Sequence, residues 1–476
     1  MILMKKKENF GEWYNEIVDT AGLSDKRYPI KGMNVWTPYG WKIMTMIDSF
    51  TRRELNATNH DEVNFPLLIP ETEFKKEKDH IKGFDSEVYW VTRAGDNELD
   101  VPLVVRPTSE TAIYPMFSLW VRSHQDLPLK IFQIVNTFRY ETKQTRSFIR
   151  VREIHFFESH TCHTTEEDAQ CQIEEDIVML KNISKELCLP HFLLVRTDWD
   201  KFPGAHYTVG IDTVMPHGRT LQIGSIHHYR TNFSEPYDIK YEDLNGEHKH
   251  VHQTTFGMSE RLLGAVVGVH GDDSGLILPP PIAPFQVVII PILSKNNPEE
   301  VLDVCKMVSD ILNKDGIRVK LDDRNMRPGA KYYDWEMRGV PLRLEIGARD
   351  IENKVVSFAR RDTAEKGTMD LNAVSASAKL LLNDISATLY ERAKEVQESA
   401  VTDLTDMSEA SIEDDETKDD VILRFGWCGN EDCGHTFEET TGYKILGTPY
   451  GADAVKGDCI VCGAPSDKQA YAAHPM

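Results

Sequence analysis

The chain has 476 residues, a formal net charge of −22, 41% hydrophobic and 27% charged residues. That length allows roughly two to four domains with substantial cores, and no run approaches the ~20 apolar residues a membrane-spanning helix needs. The negative charge argues against non-specific nucleic-acid binding, which depends on neutralising phosphates, but it leaves room for a local basic surface on an acidic body.

The N-terminus reads Met1-Ile2-Leu3-Met4-Lys5-Lys6-Lys7. Its apolar run is too short, and the basic residues follow it instead of preceding it, so it does not read as a secretory signal and a cytoplasmic location is expected. Up to Pro281, periodicity predicts helices over 39–56, 110–123 and 166–187, and strands over 63–69, 103–106, 130–139, 155–158 and 219–223. That mixture predicts an α+β domain around an antiparallel sheet flanked by helices. Pro279-Pro280-Pro281 closes it.

From 282 to 400 strands and helices alternate. A strand is expected at 287–292, then a helix opened by Asn297 as cap, Pro298 and Glu300. Val301, Cys305, Val308 and Leu312 give that helix its apolar face. A strand at 317–321, a helix at 331–338, strands at 342–346 and 355–359 and a long helix at 371–396 follow. The alternation predicts a small α/β domain with a largely parallel sheet. The acidic stretch 408–420 reads as a solvated linker or exposed helix. The division expected is therefore 1–281, 282–400 and 401–476, the last a small α+β, metal-binding domain.

Three constellations carry chemistry. Arg139 and Glu141 precede a polar loop and a second run, Phe148-Ile149-Arg150-Val151-Arg152-Glu153. A guanidinium above a sheet can hold a phosphate or carboxylate by paired hydrogen bonds. Read alone, the segment also fits a charged hairpin with surface ion pairs. Gly257 and Arg261 stand before the apolar run 262–269, where an arginine at a helix start can grip a phosphate, or can simply lie on the surface. Cys428-x4-Cys433 and Cys459-x2-Cys462 offer four thiolates in two close pairs, enough to close a tetrahedral zinc site with no open position, hence a structural one. Four free thiols are the plainer reading, and His435 is a competing ligand.

The order of these segments resembles the class II aminoacyl-tRNA synthetases. Gly40-Trp41 through Asn64-Phe65-Pro66 is similar to their motif 1, Phe138-Arg139-Tyr140-Glu141 to motif 2, and Gly257 with Arg261 to motif 3. Further segments resemble the prolyl-tRNA synthetases of the archaeal and eukaryotic-like form: Arg106-Pro107-Thr108-Ser109-Glu110, the 145–153 loop, Glu158-Ser159-His160-Thr161-Cys162-His163, Gly224-Ser225-Ile226-His227-His228 and Val269-His270-Gly271-Asp272-Asp273. The resemblance runs from about Glu12 to Cys462.

It implies a proline–tRNA ligase that uses ATP with Mg²⁺, carries structural Zn²⁺, and acts on L-proline and tRNA(Pro) as a homodimer, with neither membrane nor DNA as partner. Thr108, Glu110 and Arg139 are implied to hold the proline amine and carboxylate. Phe156, His160 and Phe202 line the ring pocket above His227. Arg139, Glu141, Arg150, Gln222, Ser225, Ser259 and Arg261 contact ATP, with Arg139 and Arg261 the catalytic cations. Arg146 approaches the tRNA end or the phosphates. Glu336, Arg343, Arg349 and Asp350 fall on the anticodon-reading positions.

Two departures stand out. Phe156 replaces a more usual Trp, which implies a slightly wider pocket, and the end, Ala473-His474-Pro475-Met476, lacks the usual tyrosine. There is no large insertion between motifs 2 and 3, so no editing domain is expected there. Other class II members of the same subgroup, and a non-catalytic paralogue acting as an RNA-binding regulator, are the alternatives. The 108–110 loop and the cysteine tail count against the first. The presence of both Arg139 and Arg261 counts against the second.

Overall fold

In a computed structural model the described residues are 5–77, 87–293, 298–410 and 421–476. Helix α1 (Phe10–Thr20) is capped by the Asn9 side chain and buries Trp13, Tyr14 and Ile17. Helix α2 (Pro38–Ala57) begins with a Thr37 cap and a proline in its first turn, and packs Ile43, Ile47 and Leu55 inward. The strand expected over 63–69 is instead two short pairings, β1 (Asp61–Glu62) and a three-residue strand at Leu68–Pro70. Pro66 between them has no N–H for a ladder, and the Phe65 N–H donates to the Gln133 side chain at 3.0 Å.

Helix α3 (Glu110–Trp120), strand β2 (Leu129–Phe138) and strand β3 (Glu153–His163) follow. Helix α4 (Glu166–Glu186) starts on a Thr165 cap with three acidic residues in its first turn, which suits the helix dipole. Strands β4 (Phe192–Val195), β5 (Tyr207–Val214), β6 (Thr220–Arg230) and β7 (His252–Ser259) complete the sheet, and helix α5 (Arg261–His270) lies against it. The order β4-β5-β6-β7-β3-β2 is antiparallel throughout, as expected. β1 joins in parallel, at β2.

The second unit comprises β8 (Val287–Ile292), α6 (Pro298–Lys314), β9 (Val319–Leu321), α7 (Pro328–Met337), β10 (Leu342–Gly347), β11 (Val355–Arg360), β12 (Lys366–Asp370) and the long helix α8 (Val374–Ser399). The expected cap Asn297 lies outside the described residues. The five-stranded order β9-β8-β10-β11-β12 is mixed, not largely parallel: β8 pairs parallel with β9 and β10, while β10–β11 and β11–β12 are antiparallel. The reason is connection length. A helix of only five residues, Ala348–Glu352, separates β10 from β11, too short for a parallel crossover.

Of the acidic stretch 408–420, residues 408–410 sit in the short helix Met407–Ala410 and the rest lies outside the described residues. The last part contributes β13 (Val401–Asp403), β14 (Ile422–Gly426), helix α9 (Glu431–Thr441), β15 (Lys444–Pro449) and β16 (Gln469–Ala473). These strands do not form a sheet of their own. They extend the first one to eleven strands, β13-β14-β16-β15-β4-β5-β6-β7-β3-β2-β1, through Thr448 and Pro449 of β15 on Val195 and Leu194 of β4.

Candidate active site

A cavity of about 400 Å³ opens over the antiparallel sheet. The ends of β2, β3, β6 and β7, the loop after β2 and the turn after β4 line it. Three arginines line it, Arg139, Arg150 and Arg261, and Arg139 and Arg150 are close enough to repel Arg261. Arg139 and Glu141 lie beyond the end of β2, not on it, and the Arg139 Nε donates to the Pro107 carbonyl at 3.1 Å. Burial pulls the Arg139 guanidinium below its ordinary range. Arg261 opens α5, and its Nε and Nη1 donate to the carbonyls of Ile149 (2.9 Å) and Gln222 (3.1 Å). Burial, then repulsion from Arg139 and Arg150, brings it down to about 10. Crowded, desolvated cations bound to neutral carbonyls are relieved by an anion, and a polyphosphate matches the set.

Acidic and aromatic residues line the cavity as well, Glu110 and Glu158 within electrostatic reach of Arg139. Glu110 accepts from the Thr108 hydroxyl, and from the Tyr229 hydroxyl at 3.2 Å. Glu158 accepts from the Ser109 hydroxyl, and from Gln133 Nε2 at 2.8 Å and His160 Nε2 at 3.1 Å. Burial pushes the Glu158 carboxyl up, but these donors hold it below its usual range, so the group stays ionised. Two carboxylates here suit an ammonium.

Phe202 packs over the His227 ring at 4.8 Å, and His227 bonds Thr208 and Ser225 hydroxyls at 2.9 Å on its two nitrogens. Burial, then His160, lowers the His227 pKa to about 3, so the ring is neutral. Phe156 forms part of the wall. A Cβ on Gly257 in the neighbouring strand would stand 2.7 Å from its ring, so glycine there makes room for Phe156.

Nearly all the residues singled out for the pocket therefore meet in one cavity: Thr108, Glu110, Arg139, Glu141, Arg150, Phe156, Phe202, Gln222, Ser225, His227, Ser259 and Arg261. His160 stands behind the wall, 1% exposed, bonded to Glu158, to the Tyr114 hydroxyl and to Thr255. Arg146 does not line the cavity; its guanidinium lies against Gly11 of α1. The chain end does reach the site: the Met476 N–H donates to the Thr220 carbonyl at 2.9 Å, and its main-chain oxygen accepts from Arg150 at 3.2 Å.

Sequence reasoning missed Glu158, Gln133 and Tyr229 as a supporting network. The signal for Glu158 was present, because Phe156, Glu158 and His160 alternate on one face of β3. Arg196, Asp200 and Lys201 also line the cavity, and no local pattern singled them out.

The four predicted anticodon positions form two groups along β10. Arg343 is bonded to Glu336 at 2.7 Å and Glu345 at 3.0 Å, and stacks over Tyr332 at 4.0 Å. At the far end of the strand, roughly 13 Å away by strand rise, Arg349 is exposed and Asp350 accepts from the Gly347 N–H and the Ser357 hydroxyl at 2.9 and 2.8 Å.

The sulfur atoms of Cys428, Cys433, Cys459 and Cys462 all lie within 4.8 Å of one another. Burial pushes the Cys459 thiol up, but amide groups of Cys462, Cys428 and Val461 pull it to about 7. Thiol donors at this spacing fit a tetrahedral soft-metal site. His435 is turned to Glu431 and the Trp199 ring instead.

Three family models match the chain: the tRNA synthetase class II core domain (G, H, P, S and T) over 89–270, an anticodon binding domain over 286–381, and the prolyl-tRNA synthetase C-terminal domain over 414–474. The chain is 54% identical to a proline–tRNA ligase of Thermococcus kodakarensis over 470 residues, 97% of each. It is 50% identical to one of Methanosarcina mazei, covering 98% of this chain and 97% of that one. A solved Giardia lamblia prolyl-tRNA synthetase in complex with prolyl-adenylate superposes with a TM-score of 0.96 at 37% identity, covering all of both chains.

Proposed function

The chain belongs to the class II prolyl-tRNA synthetase family, and from that premise we propose how its own residues join L-proline to tRNA(Pro) with ATP. The observation that carries the reading is the make-up of the cavity wall, where Arg139, Arg150 and Arg261 stand together with the carboxylates Glu110 and Glu158. Glu110 and Thr108 receive the proline amine, with Glu158 adding negative charge behind them. The ring lies between Phe156 and Phe202 above neutral His227. The proline carboxylate then points at Arg139 and meets the α-phosphate in line. Arg139 neutralises the charge that builds on the pentacoordinate phosphorus, and Arg150 and Arg261 hold the phosphates of the leaving pyrophosphate.

Glu141, Gln222, Ser225 and Ser259 contribute polar atoms along the nucleotide. No side chain acts as nucleophile, so catalysis is positioning and electrostatics. Mg²⁺ accompanies ATP and adds positive charge at the phosphates. Transfer of the prolyl group to the tRNA 3′ end follows, with Glu336, Arg343, Arg349 and Asp350 facing the anticodon. Guanidinium and carboxylate groups suit the edges of unstacked guanines.

Zinc at the four thiolates is structural, since four protein ligands leave no open position. The division into 1–281, 282–400 and 401–476 is supported by one main apolar cluster in each, while smaller clusters such as Leu194 and Val214 with Ile422 and Leu446 join the units. A homodimer is supported by exposed apolar side chains around α2 and the segment after β1, among them Val35, Trp41, Leu67, Leu68 and Trp120. No helix among the described residues is long and apolar enough to cross a membrane, in keeping with a cytoplasmic enzyme.

The test is ATP–pyrophosphate exchange with each of the twenty amino acids in turn. Proline is expected to dominate, with weak signals from alanine and cysteine. An apolar slot rejects undersized ligands by only roughly 1–3 kcal/mol per methylene. A dominant signal from another amino acid overturns the pocket reading. No exchange overturns the catalytic one.

A further inference from the structure

The turn that follows β4 faces two ways. Its carbonyl at Thr197 accepts from the N–H groups of Asp200 and Lys201 at 3.1 and 2.9 Å, closing a single tight turn. Asp200, Lys201, Phe202 and Pro203 line the cavity from that turn. Trp199 points the other way, into the cysteine module. It packs on the apolar cluster that includes Phe437, Cys459, Cys428 and Cys433. Its ring meets Trp427 edge-on at 6.0 Å and His435 at 4.6 Å. A Cβ on Gly434, the residue after the ligand Cys433, would stand 2.3 Å from the Trp199 ring. That glycine lies inside α9, so close approach and not turn geometry requires it.

The turn has few other restraints on that side. Arg196 anchors its start, donating to the Leu446 carbonyl at 2.6 Å and to Asp212 at 2.7 Å. Beyond it, the Phe202 N–H donates to the Thr208 hydroxyl at 3.0 Å, and that hydroxyl bonds His227. Between these two anchors Thr197 is buried, Asp200 lies 3.7 Å from Arg196, and Trp199 is the side chain that ties the turn to the core of the cysteine module.

We infer that Trp199 is a positioning residue through which the ordered cysteine module holds Phe202 over the amino-acid pocket. The inference rests on the proline-activating reading above. The geometry has a direct consequence: loss of the metal frees α9 and Gly434, the ring loses its seat, and the turn carrying Phe202 relaxes. The pocket then loses complementarity to the proline ring while the arginines that act on the phosphate stay in place. Affinity for the amino acid falls, and the chemical step is largely kept.

The test compares wild-type protein with Trp199→Ala, Trp199→Phe and Gly434→Ala, each metal-loaded and after removal of metal by a chelator. Hydrogen–deuterium exchange of segment 196–206 is measured in every sample. KM for proline and kcat are measured by pyrophosphate exchange in the loaded forms. Trp199→Ala is expected to raise exchange in the segment and to raise KM for proline roughly tenfold, below the hundredfold that a misplacement of about 1 Å can cost, with kcat within about twofold. Trp199→Phe restores both, and Gly434→Ala reproduces the defect without touching the tryptophan.

Chelation raises segment exchange in wild type but adds nothing in Trp199→Ala. The inference is overturned by a wild-type KM and wild-type segment exchange in Trp199→Ala, or by chelation raising exchange equally in both proteins. A wild type that exchanges pyrophosphate with no amino acid sinks the catalytic reading instead, and the deuterium measurement still decides the coupling between module and turn.

Discussion

Arg139 and Arg261 are half-buried cations whose Nε atoms donate to the carbonyls of Pro107 and Ile149, and burial lowers both below their ordinary range, so an anion in the cavity favours their charged forms. Arg139→Ala should therefore lower proline-dependent pyrophosphate exchange by roughly a hundred- to a thousandfold with little change in thermal stability; activity near wild type would remove it from the phosphate-binding role. A second residue-scale prediction concerns Asp176 on α4. It is fully buried, one of its oxygens lacks a partner, and the other accepts from Gln172 at 2.9 Å. Burial raises its pKa to about 8. The folded state thus holds a proton that the unfolded chain releases near pH 4, so stability falls as pH rises from there to about 8. Asp176→Asn should flatten that part of the pH dependence and raise the melting temperature at pH 8 relative to pH 5. An unchanged difference between the two pH values would contradict the assignment. Residue types at motif positions were legible in the sequence, and alternation in β3 pointed to Glu158, whereas Asp176 and the partners of Glu158 were not, because burial and partner geometry have no local signature.

Elements were legible where periodicity and caps agreed. Helices α2 and α4 begin at Thr caps and run close to the expected spans, and β2 and β3 lie where the alternation put them. The reading failed at Pro66, where an apolar run lacked ladder donors, and at β12, which the sequence analysis did not anticipate. The cysteine spacing identified a metal-sized cluster, but not that α9 separates Cys433 from the second pair and seats Trp199. At this scale Cys459→Ser should reduce bound zinc from about one equivalent to a small fraction, measured by elemental analysis, and lower the melting temperature because metal binding contributes to folding of so small a module. Retention of a full equivalent would show that the metal sits elsewhere.

Among the contacts that tie the whole molecule together are two that no local pattern marks. One is the addition of the last part to the free edge of β4, which makes eleven strands from two distant stretches of chain. The other is Arg361, which donates to Asp272 through both terminal nitrogens, at 2.8 and 2.6 Å, and to the Glu336 carbonyl at 3.0 Å through Nε. It thereby links the loop after α5 to α7, which carries Glu336. Although burial pushes the Asp272 carboxyl up, Arg361 holds it below its usual range. A double-mutant cycle of Arg361→Ala and Asp272→Ala should return a coupling of roughly 1–3 kcal/mol, read from urea unfolding; strict additivity would mean the contact does not hold the units together.

By itself the sequence determined the class of fold, through periodicity, and the metal-sized cysteine set, through spacing, while Thr108, Glu110, Arg139, Arg261 and others that line the cavity followed from motifs that resemble a known family. Only the tertiary structure decided which strand edge the last part would use, that His160 and Arg146 stand off the cavity, and that Trp199 links the cysteines to Phe202. Those outcomes depend on packing and hydrogen bonds between residues far apart in the chain, and such contacts leave no period in the sequence to read.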